Sequence, residues 1–399
     1  MRFATLFALA MVAMAAVTAN AVDHTWTGAT DNNWLTGSNW DAGTAPASSD
    51  NILINTGTPV YSEAGHWLKV SDSAKITIDG GDTTWDVRRI HVGMSGTWGN
   101  MDIKSGNLTY QYTYTSTYPK FNVGDQGNGY VNQTGGNVLV DVPTNPGLDA
   151  NSAKAAQTLQ LAGGDRAGIW HISGGTLNVG KLGNGWDGRG EFKVIGDDAT
   201  ITLRGEAGPG SQAYWQNSRS KLIYDIGSGI SKIDATGSIC NIGGTLIVNF
   251  TEVPTVGERF TLMEYGTLIH GFDSYDLTVD SPWGPDTVEL ALHYGDRSDD
   301  IMEVEVLAVY GAIPGDLNGD GAVNSGDLDI VRGAWEETVE AGCLPCGDPS
   351  GDGVVNSADL DIVRANWGAG VTPVPVPEPA VCSLLFAALA LASIRRWRR

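Results

Sequence analysis

The residues best suited to do chemistry stand in two short acidic runs, Gly315–Asp327 and Gly347–Asp359. In the first, Asp316, Asn318 and Asp320 alternate, so their side-chain oxygens converge when the chain turns. Gly321 follows where that turn must be sharp, Ala322 offers a backbone carbonyl, and Asn324 and Asp327 complete the run. Counted from Asp316, the donors occupy positions one, three, five, seven, nine and twelve of a calcium loop, with glycine at six. The second run repeats this spacing with Asp348, Ser350, Asp352, the Val354 carbonyl, Asn356 and Asp359, and Gly353 takes the turn. Ca²⁺ takes about six to eight hard oxygen ligands, which an alternating segment around a turn supplies from one short stretch. Two loops predict two bound Ca²⁺ ions.

Such loops need elements to hold them. Pro314 stands directly before the first loop and argues against a helix leading into it. The exiting side has helical spacing, with Leu328, Val331 and Trp335 at i, i+3 and i+7, repeated by Leu360, Val363 and Trp367. Position twelve is Asp, not the Glu usual in EF-hands. Two calcium loops, each followed by one helix reading Leu-Asp-Ile-Val-Arg, resemble a type I dockerin over residues 312–368. The resemblance implies a cohesin-like protein partner, contacted by loop positions ten and eleven and the exposed helix face. Those positions hold Ser325 and Gly326 in one copy and Ser357 and Ala358 in the other, where many dockerins carry two hydroxyls. Between the loops lies Cys343-Leu-Pro-Cys346. An exported chain favours a local disulfide there; the alternative is a metal or redox pair, for which no further ligand pair lies nearby.

Both ends of the chain read as sorting segments. Residues 1–21 have a signal peptide's order: Arg2, an apolar stretch from Phe3 to Val17, and the small-residue site Ala19-Asn20-Ala21. Residues 369–376 form a linker rich in Pro. The tail at 377–399 runs from Pro377-Glu378-Pro379 through the apolar stretch Val381 to Ile394 into Arg395-Arg-Trp-Arg-Arg399. This order resembles a PEP-CTERM sorting signal, which implies transient anchoring at the inner membrane and cleavage by an exosortase-type enzyme. A plain C-terminal anchor is the alternative. The expected destination is the cell surface or extracellular matrix. A net charge of -22 argues against a nucleic-acid partner, whose phosphates require a basic footprint. Among the four cysteines, Cys240 sits in an apolar strand-like run and reads as a buried small hydrophobe, while Cys382 lies in the tail.

The long middle reads as mainly β. Ile90-His-Val-Gly93 leads to Met101-Asp-Ile103 and then Leu108; Phe121-Asn-Val-Gly124 leads to Gly129-Tyr-Val131 and then Val138. Leu159-Gln-Leu161 leads likewise to Trp170, Ile172 and Leu177. Each unit is strand, glycine turn, strand, glycine turn, strand, with one side chain in and the next out. This pattern resembles the passenger-type autotransporter-associated β-strand repeats and implies a Gly-rich right-handed parallel β-helix, a solenoid over residues 22–220. Residues 221–311, with longer strand runs, form its C-terminal β segment. A β-sandwich is the alternative fold. Trp26, Trp34 and Trp40 suit a cap over the first coil or a platform for sugar rings. Trp98, Trp170, Trp186 and Trp215 carry the same ambiguity, and Tyr110, Tyr112, Tyr114 and Tyr118 suit either a ligand face or merely an exposed sheet.

No catalytic residues emerge. There is no His-Glu-x-x-His, no Gly-x-Ser-x-Gly and no phosphate loop, and the six His are scattered. The leading expectation is an exported non-catalytic surface or matrix protein with a calcium-binding attachment module. The alternatives are a carbohydrate-binding protein, with polysaccharide as partner, and a polysaccharide-degrading hydrolase or lyase, which needs a carboxylate pair or basic groups that one sequence does not single out.

Overall fold

The computed structural model describes residues 21–94, 96–114, 119–140, 157–205, 210–272, 277–280, 288–295, 300–311 and 313–370. The expected signal peptide up to Asn20, Tyr118, and the chain from Val371 on, including Pro377, Glu378, Pro379 and Cys382, lie outside the described residues. The chain divides into two compact units, Met1–Val306 and Leu307–Arg399. None of the described helices is long and apolar enough to cross a membrane.

The first unit is built from parallel strands that pair with the strand three places on in sequence through most of its length. In a ten-stranded sheet, Lys75–Asp79, Trp98–Ser105, Asn128–Gln133, Ala167–Ile172, Arg189–Ile195 and Lys221–Ile226 are successive neighbours, all parallel. A second sheet of fourteen strands carries two such tracks. The long strand Thr83–Val92 belongs to both: its first half pairs with Asn107–Gln111 and its second half with Lys120–Val123. At the far end Ile233–Asn241 does the same, pairing with Ala199–Leu203 and with Gln212–Gln216. The parallel pairings of this sheet therefore close into a ring. The direction changes where Arg259–Leu268 pairs antiparallel with Ile301–Val309.

In-register pairing stacks like side chains on like. Ile76, Met101, Val131, Trp170, Phe192 and Leu222 face one another strand by strand, and all are fully buried. On the second sheet Ile90, Phe121, Leu159, Leu182, Tyr214 and Cys240 form an equivalent row. Cys240 ends that row as a small buried thiol, which burial pushes up to about 12, so it stays protonated. Because apolar area removed from water stabilises by about 25 cal/mol per Å², these rows are the core that the alternating sequence builds.

Several aromatic expectations resolve. Trp26, Trp34 and Trp40 are 2% exposed and pack edge to face, with centroids 5.1 Å apart for Trp26–Trp40 and 4.8 Å for Trp34–Trp40. The Trp40 indole also donates to the Trp34 carbonyl at 2.7 Å. Rings buried on one another have no face left for a sugar, which leaves the packing role. Tyr110 and Tyr112 are fully buried, Tyr110 against Phe121, so they line no ligand face. Both share the inward parity of Leu108. Trp170 is likewise in the core, whereas Trp98 and Trp186 are exposed.

Glycines set the corners where neighbouring strands approach closely. Gly124 has φ +79, and a Cβ there would lie 2.1 Å from the Ala167 carbonyl oxygen. A fixed backbone atom at that distance cannot yield, and the left-handed conformation adds about 1–2 kcal/mol for any L side chain. Gly124→Ala is expected to lower the stability of the first unit by at least about 2 kcal/mol in denaturant unfolding.

A second expectation concerns His91, which is fully buried with neither ring nitrogen hydrogen-bonded. Burial, with Arg89 and Lys69 adding repulsion, lowers its pKa from 6.5 to about 4. The Asp125 carboxylate at 3.5 Å is too far to offset this by a hydrogen bond. A lowered pKa favours the neutral ring when folded, so this contribution is complete above pH 6.5 and is lost as pH falls towards 4. Unfolding curves across that window should show up to about 3 kcal/mol less acid destabilisation in His91→Asn than in the parent chain.

Candidate metal centre

Among its described residues the second unit contains two short α-helices, α1 (Ser325–Gly333) and α2 (Ser357–Ala365), each entered directly from an acidic loop. Asn324 and Asn356 cap them. Their side chains accept from the Gly326 and Ala358 amides at 2.8 Å in both cases. Asp327 and Asp359 reach back to the capping residue's own amide, again at 2.8 Å. Each is a capping box in which Asp takes the place of the usual Glu or Gln. Loop positions nine and twelve thus do structural work before any metal is considered.

The repeats are tied crosswise. Val323 of the first loop exchanges backbone hydrogen bonds with Gly368 and Ala369, which follow α2. Val355 of the second loop does the same with Glu336 and Glu337, which follow α1. Leu317, Val323, Val331, Val355 and Val363 form the core between them. Trp335 and Trp367 depart from the helical face expected for them. The helices end at Gly333 and Ala365, and both indoles are exposed, so the apolar stripe stops at Val331 and Val363. Cys343 and Cys346 are joined as a disulfide in the turn before the second loop.

The loops wrap around their first aspartate. Asp316, 1% exposed, accepts from the Gly319 and Gly321 amides, each at 2.9 Å. Asp348, fully buried, accepts from Gly351 and Gly353, from Gly342 at 3.1 Å, and from the Ser350 hydroxyl at 2.9 Å. The closing aspartates reach across each loop. Asp327 accepts from Leu317 at 2.7 Å and Asn318 at 3.1 Å, and Asp359 accepts from Ser350 at 3.0 Å. Asp320 and Asp352 hold the loop tip through the Ala322 and Val354 amides.

This geometry places charge where it is costly. Burial, with Asp327 and Asp320 nearby, pushes the Asp316 carboxyl above its usual range despite the amides it accepts from. Asp348 is buried too, but its larger set of donors outweighs burial and holds it at about 2. In the second loop Asp348, Asp352 and Asp359 bring carboxylate oxygens within 4.8 Å of one another. Three like charges that close, with the Ser350 hydroxyl beside them, fit a hard cation; Asn356 turns its amide nitrogen to Asp352 at 3.2 Å, its oxygen being spent on the helix cap. In the first loop the expected donors follow the same order around the turn, with Asn318 and Asp320 linked at 3.0 Å.

Residues 314–366 match the dockerin type I domain family. Dockerin domains bind calcium and pair with cohesin domains, which suggests an extracellular or cell-surface protein. No curated protein and no solved structure matched the chain. Within the dockerin, Ser325, Ser357 and Ala358 are exposed at the first turns of α1 and α2, and Gly326 is half-buried. The crosswise pairing through Val323 and Val355 could not be read from loop spacing, although the repeated Val after each loop's carbonyl position is its trace in the sequence.

Asp327 offers a direct test of the scaffold. Its removal strands the amides of Leu317, Asn318 and Asn324, each of which it now accepts from. Asp327→Ala should cost the dockerin about 3 kcal/mol or more, even with chelator present. Asp329→Ala, whose side chain is exposed, should stay within about 0.5 kcal/mol. Far-UV circular dichroism during denaturant unfolding reads both.

Proposed function

We propose that this chain is an exported, non-catalytic surface or matrix protein whose β body is attached to a cohesin-like domain through a calcium-loaded dockerin. The observation carrying this reading is the pair of acidic loops, each closed by a buried aspartate and each running into a capped helix. In this reading two Ca²⁺ ions bind. One takes Asp316, Asn318, Asp320, the Ala322 carbonyl, Asn324 and Asp327; the other takes Asp348, Ser350, Asp352, the Val354 carbonyl, Asn356 and Asp359. Bound Ca²⁺ would relieve the repulsion among Asp348, Asp352 and Asp359, so metal loading and folding of the dockerin are coupled. Ser325, Gly326, Ser357 and Ala358, with the outer faces of the helices, then form the partner surface.

The body is read as a right-handed parallel β-solenoid over residues 22–220, with residues 221–311 as its C-terminal segment. The pairing of most strands with the strand three places on supports this reading, and right-handed crossovers are the rule between parallel strands. Residues 312–368 are the dockerin, 369–376 the linker and 1–21 the signal peptide. The Pro377-Glu378-Pro379 tail serves transient inner-membrane anchoring and exosortase-type cleavage, which would deliver the body and dockerin to the cell surface or matrix.

Calorimetry on the full chain should give two Ca²⁺ per molecule. Asp320→Ala and Asp352→Ala should each remove one site, and chelator should abolish capture of a cohesin domain. Absence of any Ca²⁺ heat, or cohesin capture unaffected by chelator, would overturn the reading.

A further inference from the structure

One outer face of the first unit carries groups that the attachment reading leaves unused. The strands Val60–Val70, Thr83–Val92, Lys120–Val123, Thr158–Leu161, Lys181–Asn184 and Gln212–Gln216 are parallel neighbours. Their inward residues are the Ile90 row. Register places the alternate, outward residues in two columns across the strands. One column pairs Trp67 with Arg89 and Arg89 with Lys120. The other pairs Lys69 with His91, His91 with Asn122 and Asn122 with Gln160. At strand spacing of about 4.8 Å, six strands make a face about 24 Å long.

Aromatic rings stand towards both ends of this face with cations beside them. Arg89 and Lys69 lie 5.4 Å and 5.6 Å from the Trp67 ring centroid. Lys120 and Lys181 lie 5.1 Å and 5.6 Å from that of Trp186, which also meets Trp215 at 5.5 Å. Trp186 is 45% exposed. Beneath this face lie buried polar groups, with the Trp67 ring packed against that of His91 at 4.9 Å. Neither amide atom of Asn122 and neither ring nitrogen of His91 has a hydrogen-bond partner, though the residues are 1% and 0% exposed. Such groups cost free energy unless something completes them. Asp125 lies near His91, so the face is not uniformly basic. It still gathers four of the 24 Lys and Arg residues onto one sheet of a chain whose net charge is -22.

We propose that this face binds an acidic polysaccharide lying across the strands. Sugar rings stack on Trp67 and Trp186, and carboxylates of uronate residues meet Arg89 and Lys120. A uronate chain carries one charge per ring together with apolar ring faces, which matches cations and indoles set in turn. A nucleic acid carries a denser charge that the acidic remainder of the chain repels. The inference is independent of the cohesin reading, because it uses no residue of the dockerin.

Calorimetry with the full chain in chelator tests it, with polygalacturonate, alginate and hyaluronan as acidic probes and amylose and single-stranded DNA as controls. Binding to at least one acidic glycan is expected, weakening with salt and absent for amylose. Trp186→Ala and Lys120→Gln should each weaken it at least tenfold, with the melting curve of Trp186→Ala unchanged because its ring is exposed. The proposal is overturned if no acidic glycan binds, if amylose binds equally, if single-stranded DNA binds more tightly than every glycan, or if Trp186→Ala binds as the parent does. Because chelator silences calcium-dependent attachment, failure here and failure of the cohesin reading remain distinguishable.

Discussion

The first unit depends on one constraint: each parallel strand must accept and donate its backbone hydrogen bonds in register with strands distant in sequence. Once Met101 sits between Ile76 and Val131, every neighbour on those strands is fixed to one face. A slip of one residue would turn Met101 and Ile103 outward and their polar neighbours inward, so the buried rows police the register. The corners must be tight for the rows to align, and this is where Gly124 is irreplaceable: the next strand's carbonyl passes where a side chain would begin. Local backbone geometry, apolar burial and long-range pairing thus specify the same arrangement, which is what a consistent sequence provides.

The dockerin solves a different problem on a smaller scale. Its fully buried core is five residues, Leu317, Val323, Val331, Val355 and Val363, with partly buried neighbours such as Leu328 and Leu360 packed on them, and a domain this small is marginal by burial alone. The remainder comes from buried carboxylates that act as hubs for backbone amides. Asp327 and Asp359 cap a helix, fasten the opposite side of the loop, and stand where a cation would be coordinated. Putting these roles on one carboxylate explains why position twelve tolerates a shorter side chain than the Glu of EF-hands: Asp reaches the capping amide directly. The disulfide Cys343–Cys346 and the crosswise pairing of Val323 and Val355 add covalent and long-range ties to a unit that burial alone leaves marginal.

Much of this was legible in the sequence, for reasons that differ by element. The dockerin could be read because a metal loop fixes residue type and spacing together, and two copies leave little to coincidence. The β character of the middle was legible from alternation and glycine corners. The fate of individual aromatics was harder. The clustering of Tyr110 and Tyr112 suggests a surface row, yet both continue the inward parity of Leu108, so the alternation of the strand decides their burial. Trp335 misled in the opposite sense. Its i+7 spacing assumes that the helix continues, whereas α1 ends at Gly333. Trp67 carries no signal in the sequence, because its place beside Arg89 comes from a pairing between strands that no local pattern encodes.

That last point bears on how function can arise in such a body. In-register parallel pairing lines up outward residues as strictly as inward ones, so a run of ordinary residues on separate strands becomes an ordered row. Arg89, Lys120 and Trp67 are unremarkable one at a time, but register places them side by side. The same rule that stacks Ile90 on Phe121 sets His91 beside Asn122 on the opposite side of the strands, buried, where neither side chain finds a hydrogen-bond partner. A core has no use for that second row. Leaving buried polar groups incomplete opposes folding, so the apolar stack on the other side of the strands must offset it, and that same stack holds the cations and indoles above on a rigid face.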